Sequence, residues 1–176
     1  GWWTWVMEGT PRQLTDALIA SRARVRAEEA FQLRCIVELV GRYQSVPALD
    51  VPGAEQLVAS GADGTPLVAE FLAAELAPLL ETSTPSAWNL IHDAANLHDR
   101  HPHLWAAVQA GRVPAWQARK TAQACADAGL SLEATLWVDG RLRAAWGHLP
   151  WARIQRRLRG AITDADHQLA HQRAHA

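Results

Sequence analysis

Residues 76–91 read LAPLLETSTPSAWNLI. Leu76, Leu79 and Leu80 precede, and Ala87, Leu90 and Ile91 follow, a short polar turn from Glu81 to Thr84. Two apolar clusters at helical spacing with so short a break predict two packed helices, with the spacing of a helix-turn-helix pair. Thr84 followed by Pro85 is a start signal for the second of them. On that helix, at about 100° per residue, Ala87, Leu90, Ile91, Ala94 and Leu97 gather on one side. Ser86, Asn89, His92, Asp93 and Asn96 are expected to face outward. Asn89 and Asn96 have the chemistry to pair with adenine edges. Affinity for DNA, however, comes mainly from neutralising phosphates, and this helix carries Asp93 and Asp99 with no Lys or Arg before Arg100. Glu81 also stands where DNA-reading turns often place glycine. The charge pattern therefore favours core packing over base reading for this helix.

Outward from that pair, helical periodicity continues in both directions, and no alternating run is long enough to argue for a sheet. The fold class expected is all-α: a multi-helix bundle with a long N-terminal helix, the helix-turn-helix-like pair and a long C-terminal helix. Thr10 then Pro11 starts the first helix, which runs to about Tyr43 on a stripe of Leu14, Leu18, Val25, Leu33, Val37 and Val40. The Pro- and Gly-rich stretch 45–65 reads as a loop with weak local order. Thr65 then Pro66 starts a helix to about Glu81, and the next runs from Thr84 to about His98. Helices are expected over 102–110 and 114–128, ended by Gly111 and Gly129. Ser131 caps another that passes a weak point at Gly140 and reaches about His148, and the last starts at Pro150.

A chain of 176 residues supports one domain with a real core. Residues 11–176 are read as that domain. Residues 1–10, with Trp2, Trp3 and Trp5 ahead of the first cap signal, are read as an N-terminal extension or a cloning remnant, or as the cut edge of a longer reading frame. With 49% hydrophobic and 20% charged residues the composition is that of a folded globular chain, not a disordered one. No apolar run approaches the roughly 20 residues that span a bilayer, and no signal peptide is recognisable, so no membrane partner and a cytoplasmic location are expected. Cys35 and Cys125, each among apolar neighbours, are read as reduced packing residues. Several of the nine tryptophans fall on apolar stripes, where core packing accounts for them.

The near-zero net charge hides a segregation of sign. Between Tyr43 and Asp99 there is no Lys or Arg, whereas residues 100–159 carry ten basic residues against Asp127, Glu133 and Asp139. Such a chain can offer a basic face to a polyanion, or pair its two halves with each other or with a neighbour. The last helix carries the densest basic cluster. Trp151, Ile154, Leu158, Ile162, Ala165 and Leu169 form its apolar stripe, and Arg153, Arg156, Arg157 and Arg159 lie on the opposite half. Arginine forks suit phosphate. These four, with Arg141 and Arg143, are the candidate DNA-binding residues; the plain alternative is a solvated face. His167, His171 and His175 at spacing four, and the stretch HDAANLHDRHPH from His92 to His103, hold metal-competent side chains. The first set lacks the acidic partner of a zinc-protease helix, and solvation is the simpler reading of both, so no metal and no cofactor are assigned. No Gly-rich phosphate loop, no G-x-S-x-G and no Ser/His/Asp set is present, and no catalytic residue is assigned.

The run Val68–Lys120, with AAELAPLLETS (73–83) and AANLHDRHPHLWAAVQAGRV (94–113), followed by LPWARIQRRLRGAITDAD (149–166), resembles the actinobacterial family called domain of unknown function 222, or the 13E12 repeat family. The resemblance extends over about Pro11 to the C-terminus and is carried by the ordered set of motifs. Proteins similar to this family carry the domain ahead of an HNH nuclease module, whose histidines and metal this chain lacks. Where relatives tend to read Arg-Leu-Pro, this chain has Arg100, His101 and Pro102. The resemblance implies an accessory domain of an HNH endonuclease or mobile-element protein that helps bring double-stranded DNA to its nuclease. Two other readings stay open: a protein-interaction or dimerisation module, pairing with itself or with the HNH module, and a metal-dependent enzyme built on the histidines.

Overall fold

A computed structural model describes residues 8–49 and 51–176. Among them the chain forms α1 (Pro11–Arg42), β1 (Leu57–Ala59), β2 (Leu67–Ala69), α2 (Leu72–Leu79), α3 (Thr84–Arg100), α4 (Pro102–Gln109), α5 (Ala115–Asp127), α6 (Leu132–Leu142) and α7 (Trp151–Ala174). The fold is mostly all-α, as the periodicity predicts. Trp2, Trp3 and Trp5 lie outside the described residues.

Local chemistry sets most boundaries. At the start of α1, Thr10 Oγ1 accepts from Gln13 N, and Thr10 N donates to Gln13 Oε1, which closes a capping box. Ser83 and Ser131 cap α3 and α6 through bonds from Ser86 N and Ala134 N. The turn between α2 and α3 closes with Thr82 N donating to Ala77 O, and it places Glu81 in the left-handed region at φ 51°. This is the position where glycine is the unstrained residue.

Two expectations are corrected. The stretch 65–71 is not helical: Leu67–Ala69 pairs antiparallel with Leu57–Ala59, Val58 opposite Val68. Val68 is fully buried. Pairing and burial override the Thr-Pro start signal, because Ala69 N also donates to Tyr43 O and has no need of a helical acceptor. The sixth helix stops at Leu142, not near His148. Beyond Gly140 the chain turns, with Gly147 at φ 81°, and that turn buries Trp146.

Helix α3 is the hub. It packs against α1, α2, α4, α5 and α6, while α7 lies across α6 and α5 at the outside. The core joins Leu33, Ile36 and Val40 of α1 to Leu72, Ile91, Leu97, Leu104, Val138, Ile154 and Leu158. The stripe predicted along α1 is buried only in its second half. Leu14, Leu18, Ile19, Val25 and Phe31 are exposed, Leu18 at 62%, because no other described element covers that half. No helix among the described residues is long and apolar enough to cross a membrane.

Candidate functional site

Helix α7 starts at Pro150, whose missing N–H costs nothing at a helix start. Ile154, Leu158, Ala161, Ala165 and Leu169 are buried, and Trp151 and Ile162 pack partly against the core. Opposite that stripe, Arg153, Arg156, Arg157 and Arg159 are all exposed. On a helical net they span roughly 160° of arc. Arg141 on α6 and Arg157 line one open groove of about 400 Å³ together with Gly160 and Asp164. The Arg141 guanidinium sits 5.6 Å from the centre of the Trp137 ring, a cation–π contact that orients it without neutralising its charge. Arg143 is exposed in the turn after α6, outside that groove.

None of these six arginines forms an ion pair among the described residues. The acidic half of the chain uses its carboxylates elsewhere. Glu55 and Glu70 accept from Phe71 N and Gln56 N across the hairpin. Asp63 accepts from Leu132 N at the start of α6. Asp93 takes Arg119 and Gln123. The intramolecular neutralisation weighed from the sequence is therefore confined, among the described residues, to Asp93 with Arg119.

Two basic residues of the second half are engaged inside the molecule, Arg100 buried and Arg119 partly exposed. Arg100 is fully buried and donates to Asp63 O at 3.0 Å, to Leu130 O at 2.8 Å and to Thr135 Oγ1. It joins the hairpin turn, α3 and the start of α6, and burial pulls its pKa down. Arg119 is held by Asp93 at 2.6 Å. Asp139 is buried as well, accepting from His103 N and Leu104 N to cap α4 from across the core. Burial raises its pKa against the pull of those amides.

The histidines separate. His92 is half-buried beside Trp88, with ring centres 5.3 Å apart. His98 is exposed and pairs with Asp99 at 2.8 Å. His101 is buried, its Nε2 has no partner, and burial together with Arg100 pushes its pKa down to about 3. His171 and His175 stack at 4.1 Å on the exposed end of α7. Among the described residues no group of three or more His, Cys, Asp or Glu is placed to hold a metal ion. Both cysteines are free; Cys125 is buried and burial pushes its thiol up to about 12, so it is unreactive.

Asp93 and Asn96, expected to face outward, are buried. Asn96 Oδ1 accepts from Ala62 N at 2.8 Å, so this side chain holds the hairpin turn and is not available to a base edge. Sequence reasoning grouped Asn89, His92, Asp93 and Asn96 on the side away from the apolar stripe, but helical spacing carries no signal that Asp93 and Asn96 of that group would be covered by other elements.

Comparison with family models, with curated proteins and with solved structures returned no match. The resemblance to the unknown-function family thus rests on its ordered motifs.

Proposed function

We propose that this chain is an accessory domain that binds a polyanion, double-stranded DNA in the first place, through Arg153, Arg156, Arg157 and Arg159 of α7 with Arg141 and Arg143 beside them. The observation that carries the reading is an arginine face that is exposed and, among the described residues, not ion-paired with the acidic half of its own chain. Binding of this kind is sequence-tolerant and salt-sensitive, because contacts to phosphate position a protein without reading bases. The family resemblance supports a role beside an HNH nuclease module or in a mobile-element protein, in the cytoplasm. The test is binding of a labelled duplex across a salt series, by this chain and by a variant with the four α7 arginines changed to Ala. Log affinity is expected to fall linearly with log salt, and the variant to lose about 3 to 4 units of slope if each arginine meets one phosphate. Absence of binding by either protein at low salt would remove DNA contact from the reading.

A second reading, self-association or docking on a protein partner, draws on the exposed apolar half of α1. Leu18→Glu with Val25→Glu is expected to leave the melting temperature within about 2 °C, since exposed positions contribute under about 0.5 kcal/mol each. If light scattering finds a dimer of the parent chain that this variant dissolves, the interaction reading replaces the first. A parent chain that is monomeric at all salt concentrations removes self-association.

A further inference from the structure

A cleft of about 380 Å³ opens between α3, α5 and the turn that joins β1 to β2. Its walls include Gly61 of the turn, Asn89, His92 and Asp93 of α3, and Gln123 and Asp127 of α5. The cleft is independent of the arginine face of α7.

The cleft is built around a buried acid. The Asp93 side chain is 4% exposed. Its Oδ2 accepts from Arg119 Nε at 2.6 Å and from Gln123 Nε2 at 2.8 Å, so the carboxylate is held in one orientation. Both bonds fall on Oδ2, and Oδ1 takes no protein donor among the described residues. The opposite wall is held close by Ala62 N donating to Asn96 Oδ1, and a Cβ on Gly61 would lie 2.5 Å from that oxygen. Only glycine lets the turn approach so closely, and the approach gives the cleft its wall.

The sign of the field follows from what lines it. The Asp93 charge is offset by Arg119. Asp127 is the last residue of α5, where the helix dipole is negative and an acidic side chain is disfavoured. It makes no ion pair among the described residues. Burial lowers the pKa of His92, so its ring is neutral near pH 7. No Lys or Arg lines the cleft. One uncompensated carboxylate, a carboxylate oxygen without a donor and a helix C-terminus repel anions and attract a cationic donor.

We propose that this cleft binds a guanidinium or protonated amine group, which donates to Asp93 Oδ1 and pairs with Asp127. Such a group belongs either to a free small molecule or to an arginine side chain on a peptide, and the two sources are separable. The test follows the side-chain amide signals of Asn96 and Gln123 by NMR in the full chain during titration with agmatine, with a Gly/Ser peptide carrying one arginine, and with inorganic phosphate. Saturable shifts with agmatine are expected, and none with phosphate. Tighter binding of the peptide assigns the source to a side chain, and tighter binding of agmatine to a small molecule. Asp127→Asn, at an exposed position, is expected to weaken agmatine at least tenfold, and Asp93→Asn to abolish it. The four-arginine variant of α7 is expected to bind agmatine unchanged, which keeps failure here distinct from failure of DNA binding. The proposal is overturned if agmatine gives no saturable shift at millimolar concentration, if Asp127→Asn binds as well as the parent chain, or if phosphate competes.

Discussion

At the scale of single residues, the core holds two polar atoms with no hydrogen-bond partner among the described residues, His101 Nε2 and Trp146 Nε1. His101 is buried with Nε2 unpartnered, and its Nδ1 lies 4.0 Å from Asp139, too far for a hydrogen bond. Held near a pKa of about 3 against an ordinary 6.5, the ring refuses a proton that the unfolded chain accepts. The sign is fixed by that difference: stability from the neutral ring is present above pH 6.5 and is lost as pH falls toward 3. Asp93 and Asp139, with raised pKa values, act in the opposite direction just above 3.8, where the folded state holds the extra proton. His101→Leu isolates the histidine. It removes an orphaned polar atom that costs about 1–3 kcal/mol, so a higher melting temperature at pH 7 and a flatter decline between pH 6.5 and 4 are expected by calorimetry. A lower melting temperature with an unchanged acid limb would show that the ring is satisfied. Arg100 and Arg119 carry the matching lesson. Both counted among the basic charges of residues 100–159, yet Arg100 is buried and Arg119 is paired with Asp93, because charge in a sequence carries no information about which carbonyl or carboxylate it will meet.

At the scale of elements, local rules placed the ends of α1, α3, α4, α5 and α7 within a few residues. Thr10, Ser83 and Ser131 satisfy amides that helices leave unpaired. The errors fell where pairing or a turn, not helical period, decided. The segment 65–71 meets the strand 57–59, and that pairing has no local signature in three-residue strands. The turn between α2 and α3 breaks a local rule, since Glu81 adopts φ 51° where glycine belongs. Glu81→Gly is expected to stabilise the protein by about 1 kcal/mol and raise the melting temperature by a few degrees. An unchanged or lower value would assign the glutamate a compensating contact.

At the scale of the whole molecule, the segregation of charge is what separates the two surfaces. The arginines of α7 face outward because its other side is core, and Asp93 and Asn96 of α3 are buried because α5 and the hairpin turn close over them. Salt therefore acts on the two sites differently. Duplex binding through unpaired exposed arginines is expected to fall steeply with salt, while the partly buried Asp93 with Arg119 is screened less. The sequence by itself determined the helical class, every helix start but that of α2, and the exposed arginine stripe, because caps, period and amphipathicity are encoded within one turn or two of chain. Only the tertiary structure decided that half of the α1 stripe stays uncovered, that Asp93, Asn96, Arg100 and His101 lie inside, and that residues from 61 to 127 meet in one cleft. Those facts depend on which elements pack together, and packing is chosen by contacts between residues far apart in the chain.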